Sequence, residues 1–170
     1  GERVYVGHYR DGFTVLDVAA RRAVNYRHDP SDGRSLPSDE VNSITIDRYD
    51  RIWVGTSAGL ALFLPERGEF LHCTRSAGVF AIQLCSNDRL LLGTELGGAM
   101  EIDPQQLVQR QGPIDVTRPE GADRDAFRQL EGTQRLSIRS VLEDHFGNLW
   151  LGTYGSGVLL RRHHPMGLFR

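Results

Sequence analysis

Lysine is absent from this chain of 170 residues; all 20 basic side chains are arginine. Set against 22 acidic residues they leave a formal charge of -2 and an isoelectric point near 6.3. So even a balance offers no footprint for nucleic acid or an anionic membrane surface, and neither is expected as a partner. The missing lysine reads as codon bias, although arginine does suit bidentate binding of carboxylates and sulfates. Cysteine is scarce too. Cys73 and Cys85 stand 12 apart with no CxxC or Cys/His ligand spacing, and read as two separate small residues. A disulfide between neighbouring strands needs an oxidising compartment and a suitable Cα separation, which the sequence leaves open. No apolar run approaches the ~20 residues that span a bilayer, and no signal peptide is seen. The chain opens on Gly1 rather than Met, in the middle of a sequence repeat, and is expected to be a piece of a longer protein.

Catalytic signatures are missing as well. There is no Gly-x-Ser-x-Gly, His-Glu-x-x-His or phosphate-cradling loop. His163-His164 reads as a turn pair without a third metal ligand, and Asp29-Pro30-Ser31-Asp32-Gly33 lacks the spacing and distal glutamate of a calcium loop. Neither catalysis nor a cofactor or metal is expected.

What the chain does contain is one stretch stated four times. Arg51-Ile52-Trp53-Val54-Gly55-Thr56-Ser57-Ala58-Gly59-Leu60 returns as Asn148-Leu149-Trp150-Leu151-Gly152-Thr153-Tyr154-Gly155-Ser156-Gly157-Val158. Weaker copies begin at Arg89 and at Arg3. The first glycines of the copies, Gly7, Gly55, Gly93 and Gly152, are separated by 48, 38 and 59 residues. Self-similarity at about 40–50 residues marks propellers and solenoids.

Within the second copy, 41–47 alternates apolar and polar residues as a half-buried strand does, 47–50 is rich in turn formers, and 51–54, 60–63 and 69–73 follow as further strands. Four short strands joined by tight turns make one antiparallel blade. In the third copy the strands fall at 79–84, 90–92, 99–102 and 107–110; in the fourth, at 138–143, 149–151 and 158–160, with 165–169 starting another. The first copy joins the pattern at its second strand. The fold class is therefore all-β, a propeller fragment of about four four-stranded blades over 1–28, 40–75, 78–111 and 137–170. Two long connections remain, 28–40 and 112–136, and 123–130 is expected to form a short helical turn. The tryptophans fill the wedge between sheets, with Tyr5 and Leu91 as smaller substitutes. The glycine permits close backbone approach, and the threonine ties the turn with its hydroxyl.

These residues resemble the two-component regulator propeller repeat. The resemblance rests on Val41-Asn42-Ser43-Ile44, the acidic turn, Arg51 to Thr56 and Gly59-Leu60, and on Ser140 to Asp144 with Gly147 to Thr153. It extends to Tyr26-Arg27-His28-Asp29-Pro30-Ser31-Asp32 with Ser35, Leu36 and Ser38. The departures are Gly7-His8, which lacks the threonine, and Leu90-Leu91-Leu92, which lacks the tryptophan. The resemblance implies seven-bladed propellers in the periplasmic part of membrane-anchored bacterial sensors with histidine kinase, hybrid kinase-regulator or diguanylate cyclase outputs, some answering to oligosaccharides.

On that reading the chain is a non-catalytic, periplasmic ligand-sensing module, completed by the remaining blades of its parent. Loops after each second strand and loops between blades share one face, the usual concave place for a ligand. The candidate contacts there are His8, Tyr9, Arg10, Glu95 and Tyr154, with Arg118, Arg124 and Arg128 from the long insert. Tyr9 and Tyr154 suit stacking on sugar rings; His8, Arg10 and the insert arginines suit acidic groups. An interaction scaffold for a protein partner is the alternative, and a propeller lyase or hydrolase a more distant one that needs a His/acid cluster the loops do not offer. Fewer than four blades leave unpaired edges and bare apolar faces, so self-association, two copies completing a ring, is expected.

Overall fold

The computed structural model describes residues 2–75, 77–109, 114–115 and 127–163. Its strands fall into four antiparallel sheets and one two-stranded parallel pair. The first is β1 (Arg3–Gly7), β2 (Phe13–Asp17) and β3 (Arg22–Tyr26), the second β4 (Val41–Ile46), β5 (Ile52–Thr56), β6 (Gly59–Leu64) and β7 (Glu69–His72). After the short strand β8 (Thr74–Arg75), the third sheet runs β9 (Val79–Leu84), β10 (Leu90–Thr94) and β11 (Ala99–Ile102). There the chain turns into helix α1 (Pro104–Val108), passes β12 (Ile114–Asp115), which pairs in parallel with β8, and returns as β13 (Phe127–Gln129) to close the third sheet beside β11. The fourth sheet is β14 (Ile138–Glu143), β15 (Leu149–Thr153) and β16 (Val158–Arg161). Two sheets thus have four strands and two have three, and the stretch 165–169 lies outside the described residues.

Two expectations are corrected at the third blade. Residues 107–109 do not supply its fourth strand, because Asp103 caps the helix over 104–108: its Oδ1 accepts from the Gln105 N–H at 2.9 Å and Pro104 occupies the first helical turn, while residue 110 lies outside the described residues. Of the helical turn expected over 123–130, residues 123–126 lie outside the described residues and 127–130 is not helical, since Phe127–Gln129 pairs with Ile102, Glu101 and Met100. Phe127 stands opposite Ile102 as Phe70 stands opposite Phe63 in the second sheet. The long insert therefore lies inside the third blade, between its third and fourth strands, rather than between blades three and four.

The sheets stack face to face. One cluster joins the first and second, with Phe13 against Ile52, Val54, Phe63 and Phe70. Another packs Trp53, Leu60 and Leu62 of the second against Val79, Leu90, Leu92 and Met100 of the third, and a third packs Leu91 and Ala99 against Ile138, Leu149 and Leu151. Strands β5 and β10 are buried along their whole length because both of their faces are covered. In β15 only alternate residues are buried, so Leu149 and Leu151 face the third sheet while Trp150 faces outward, 40% exposed. The 28–40 connection is a strap rather than a free loop. Leu36 is buried, His28 Nδ1 bonds Leu36 O at 2.8 Å, and the Phe70 N–H donates to Arg34 O at 2.7 Å.

A glycine at the fifth place of the motif lets the next blade in. A Cβ on Gly55 would stand 2.9 Å from Val79 Cγ1, and one on Gly93 2.7 Å from the Ile138 carbonyl oxygen. Both contacts are with the first residue of the next blade's inner strand, so the repeat spacing of glycines is the spacing of blades.

Candidate functional site

The turn between the first and second strands is built around one carboxylate. Asp47 Oδ2 accepts from the Trp53 indole N–H at 2.9 Å and from Arg51 Nε at 2.5 Å, while Oδ1 accepts from the backbone N–H of Tyr49 and Arg51. In the fourth sheet Asp144 holds Trp150 at 2.9 Å and the Asn148 side chain at 3.0 Å. Burial pushes the Asp47 carboxyl up, but the indole, guanidinium and backbone donors outweigh it and hold it below the usual range. At Asp144 the Trp150 indole and the Asn148 amide bring the value down to about 2. In the third blade Cys85 and Leu91 stand where aspartate and tryptophan stand elsewhere, Cys85 making the same turn bond from its N–H to Arg89 O. The two replacements go together: without the indole, a buried carboxylate there would lose a donor. Arg89 keeps its place and its Nε is left buried without a hydrogen-bond partner. This aspartate–tryptophan tie is scaffold, at the face opposite the loops.

On the loop face, each loop after a second strand packs on the segment leading into the first. Ser57 N–H donates to Glu40 O, Glu95 N–H to Gly78 O, and Tyr154 N–H to Ser137 O. The expected threonine ties are present: Thr56, Thr94 and Thr153 donate their hydroxyls to the carbonyls of Gly59, Gly98 and Gly157.

The inner strands β4, β9 and β14 lie side by side, and each slips by one residue at the same point. Val41 pairs with Thr56 and Ser43 with Gly55, which leaves Asn42 unpaired; Phe80 and Arg139 are left out of the ladder in the same way. A bulge re-aims a side chain and recurs beside functional sites. Here the three bulges form a row beneath the loops. Asn42 Nδ2 donates to Val79 O at 3.1 Å, tying one blade to the next. The Arg139 guanidinium lies 3.7 Å from the centroid of the Phe80 ring and 5.3 Å from that of Tyr154. Among the described residues no carboxylate pairs with Arg139. A guanidinium stacked on aromatic faces keeps its in-plane donors available to an oxyanion or to hydroxyls.

The residues singled out from the sequence do not all meet. Tyr154 joins Phe80 and Arg139 and is 74% exposed. Tyr9 is also exposed, but it sits on the first sheet's loop with only Arg10 over its ring, at 5.2 Å. His8 is tied into its own blade, its Nε2 2.9 Å from Thr14 Oγ1. Glu95 is exposed at the loop of the third sheet. Arg128 is placed elsewhere: it stands on β13 opposite Glu101, in the wedge that opens on the turn face. Arg118 and Arg124 lie outside the described residues. The sequence reading overlooked Asn42, Phe80 and Arg139, although a signal was available. Val41 and Ile44, Val79 and Ile82, Ile138 and Val141 pack into the core at a spacing of three, which a regular strand cannot do without a bulge.

Four stacked antiparallel sheets, joined by glycine-spaced repeats and carrying loops on one common face, define a propeller assembly. Two segments, 35–58 and 134–155, match the two component regulator propeller family model. No curated protein matches it. Among solved structures, the extracellular domain of a protein described as a hybrid two component system from B. thetaiotaomicron superposes with a TM-score of 0.66 at 29% identity, over 93% of this chain and 18% of that one. A second such domain from the same organism gives 0.69 at 21% identity, over 97% and 20% of the two chains. A protein of unknown function from Bacteroides caccae gives 0.52 at 10% identity, over 91% and 51%. The chain spans about a fifth of the length of the two extracellular domains it resembles.

Proposed function

We propose that the chain is part of the extracytoplasmic, periplasmic sensing region of a bacterial two-component receptor with a histidine kinase output, and that it binds a ligand without chemistry. Oligosaccharides are the ligand class this reading favours. The observation that carries it is the Phe80–Arg139–Tyr154 stack, which sets a flat apolar surface beside uncommitted guanidinium donors across two adjacent blades. Ligand held there binds one arrangement of the receptor better than another and shifts the equilibrium between them. The test is an oligosaccharide screen on the parent receptor, read by its output, followed by Arg139→Ala and Tyr154→Ala. Loss of response in both variants at normal receptor levels supports the site. A response that survives both places the ligand elsewhere.

A further inference from the structure

Cavities open on the turn face between adjacent sheets, and the two on either side of the third sheet can be compared. The one between the second and third sheets encloses about 290 Å³ and is lined by Asp47, Asp88 and Asp103 against Arg48, Arg51 and Arg89. Most of its charged groups are paired or capped internally, although Arg51 Nη2 and Arg89 Nε are buried there without a hydrogen-bond partner. Arg48 pairs with Asp88, Arg51 with Asp47, and Asp103 caps α1.

The wedge between the third and fourth sheets is larger, about 430 Å³, and its charges are not settled. Arg128, Arg161 and Arg162 line it against Glu101 and Glu143. Glu143 is already committed, accepting from the Ser86 N–H at 2.6 Å and the Ser86 hydroxyl at 2.9 Å. Glu101 is shared loosely between Arg128 and Arg89, each 4.0 Å away. Arg161 and Arg162 form no ion pair among the described residues.

Register makes Arg161 the anomaly. It stands opposite Leu149, as Phe63 stands opposite Ile52 and Ile102 opposite Leu90. Phe63 and Ile102 are buried core residues. The fourth blade therefore places an arginine where the scaffold elsewhere uses an apolar side chain, and the inserted return of β13 brings Arg128 to the same cavity. A local break of a repeat's own pattern is expected where function overrides packing.

We propose that this wedge binds a divalent oxyanion, a phosphate or sulfate group that is either free or carried on a small ligand. Three guanidinium groups line the one cavity, each able to offer paired N–H donors to such a group, and the volume admits the group with one attached sugar-sized body. The site is separate from the Arg139 stack and does not depend on it.

The test is calorimetric titration of the chain with inorganic phosphate and sulfate at constant ionic strength, with sodium chloride as the control and glucose 6-phosphate as the carried form. Saturable binding of phosphate or sulfate is expected, at least about tenfold weaker in Arg161→Gln and Arg128→Gln because a charge-assisted bond is lost. Arg161→Ile, which restores the residue type of the third blade, is expected to lose binding while keeping or raising the unfolding temperature. Arg48→Gln, in the other wedge, should bind as the parent does. Glucose 6-phosphate binding at least about tenfold tighter than phosphate assigns a carried group, and equal binding a free ion. Absence of saturable binding, or equal affinity in parent and Arg161→Ile, overturns the proposal.

Discussion

Asp47 and Asp144 each hold an indole six residues downstream, and both carboxyls are held below their ordinary values. The sign of the pH effect follows. A carboxylate with a depressed folded value stabilises fully above its unfolded value and loses that contribution as pH falls toward the folded one. For Asp144 the window runs from about pH 4, the ordinary value, down to about 2. Thermal unfolding of parent and Asp144→Asn across that window should show the parent's advantage shrinking as pH falls. At Cys73 burial pushes the thiol up to about 12; at Cys85 burial and then Glu143 and Glu101 do the same. Both cysteines are free and buried. Since the thiolate is the reactive form, a thiol-specific reagent at pH 8 should label neither until the chain is unfolded, when both react.

At the scale of elements, the third blade shows how an insertion is absorbed. The Asp103-Pro104 pair diverts the chain into α1, Leu107 packs into the core between the second and third sheets, and Phe127 takes the place that Phe70 has in the second. If β13 closes this sheet, Phe127→Ala and Phe70→Ala should each cost about 3–5 kcal/mol, while Val108→Ala at the exposed end of α1 should cost far less; denaturant unfolding checks this. The glycines of the motif are fixed by approach rather than by local turn chemistry. Gly93→Ala forces a Cβ against the Ile138 carbonyl, a backbone atom that cannot move aside. A loss of about 1–3 kcal/mol is expected, read from the same unfolding curves.

For the whole molecule, the two tryptophans report which sheet faces are covered. Trp53 is fully buried between the second and third sheets, whereas Trp150 stands on the outer face of the fourth beside exposed Leu142, Val158 and Leu160. Trp53→Ala should therefore cost about 3–5 kcal/mol and Trp150→Ala clearly less in the isolated chain. An apolar face of this kind, matched by exposed Val4 and Val6 on the first sheet, favours association. Light scattering on the purified chain is expected to give a mass above 19.1 kDa, with a discrete dimer as the simplest product. A stable monomer would show that the bare faces are tolerated.

The repeat itself was legible in the sequence, and with it the all-β class, the strand order apart from the fourth strand of the third blade, the threonine ties and the role of Trp53 as wedge filler. All of these are local or periodic properties, and periodicity survives in one dimension. The capped helix over 104–108 was also written there, in Asp-Pro, and so were the bulges, in the three-residue spacing of core positions. What only the tertiary structure decided is which residues meet. Phe80 and Arg139 come from different blades 59 residues apart and stack because neighbouring inner strands lie side by side. Tyr9 and Tyr154, alike in sequence context, are separated because two blades lie between them. Arg128 moved from the loop face to the turn-face wedge because the insert returns as a strand. Each is settled by register and by the stacking of sheets, which couple positions remote in the chain and leave no trace in its local pattern.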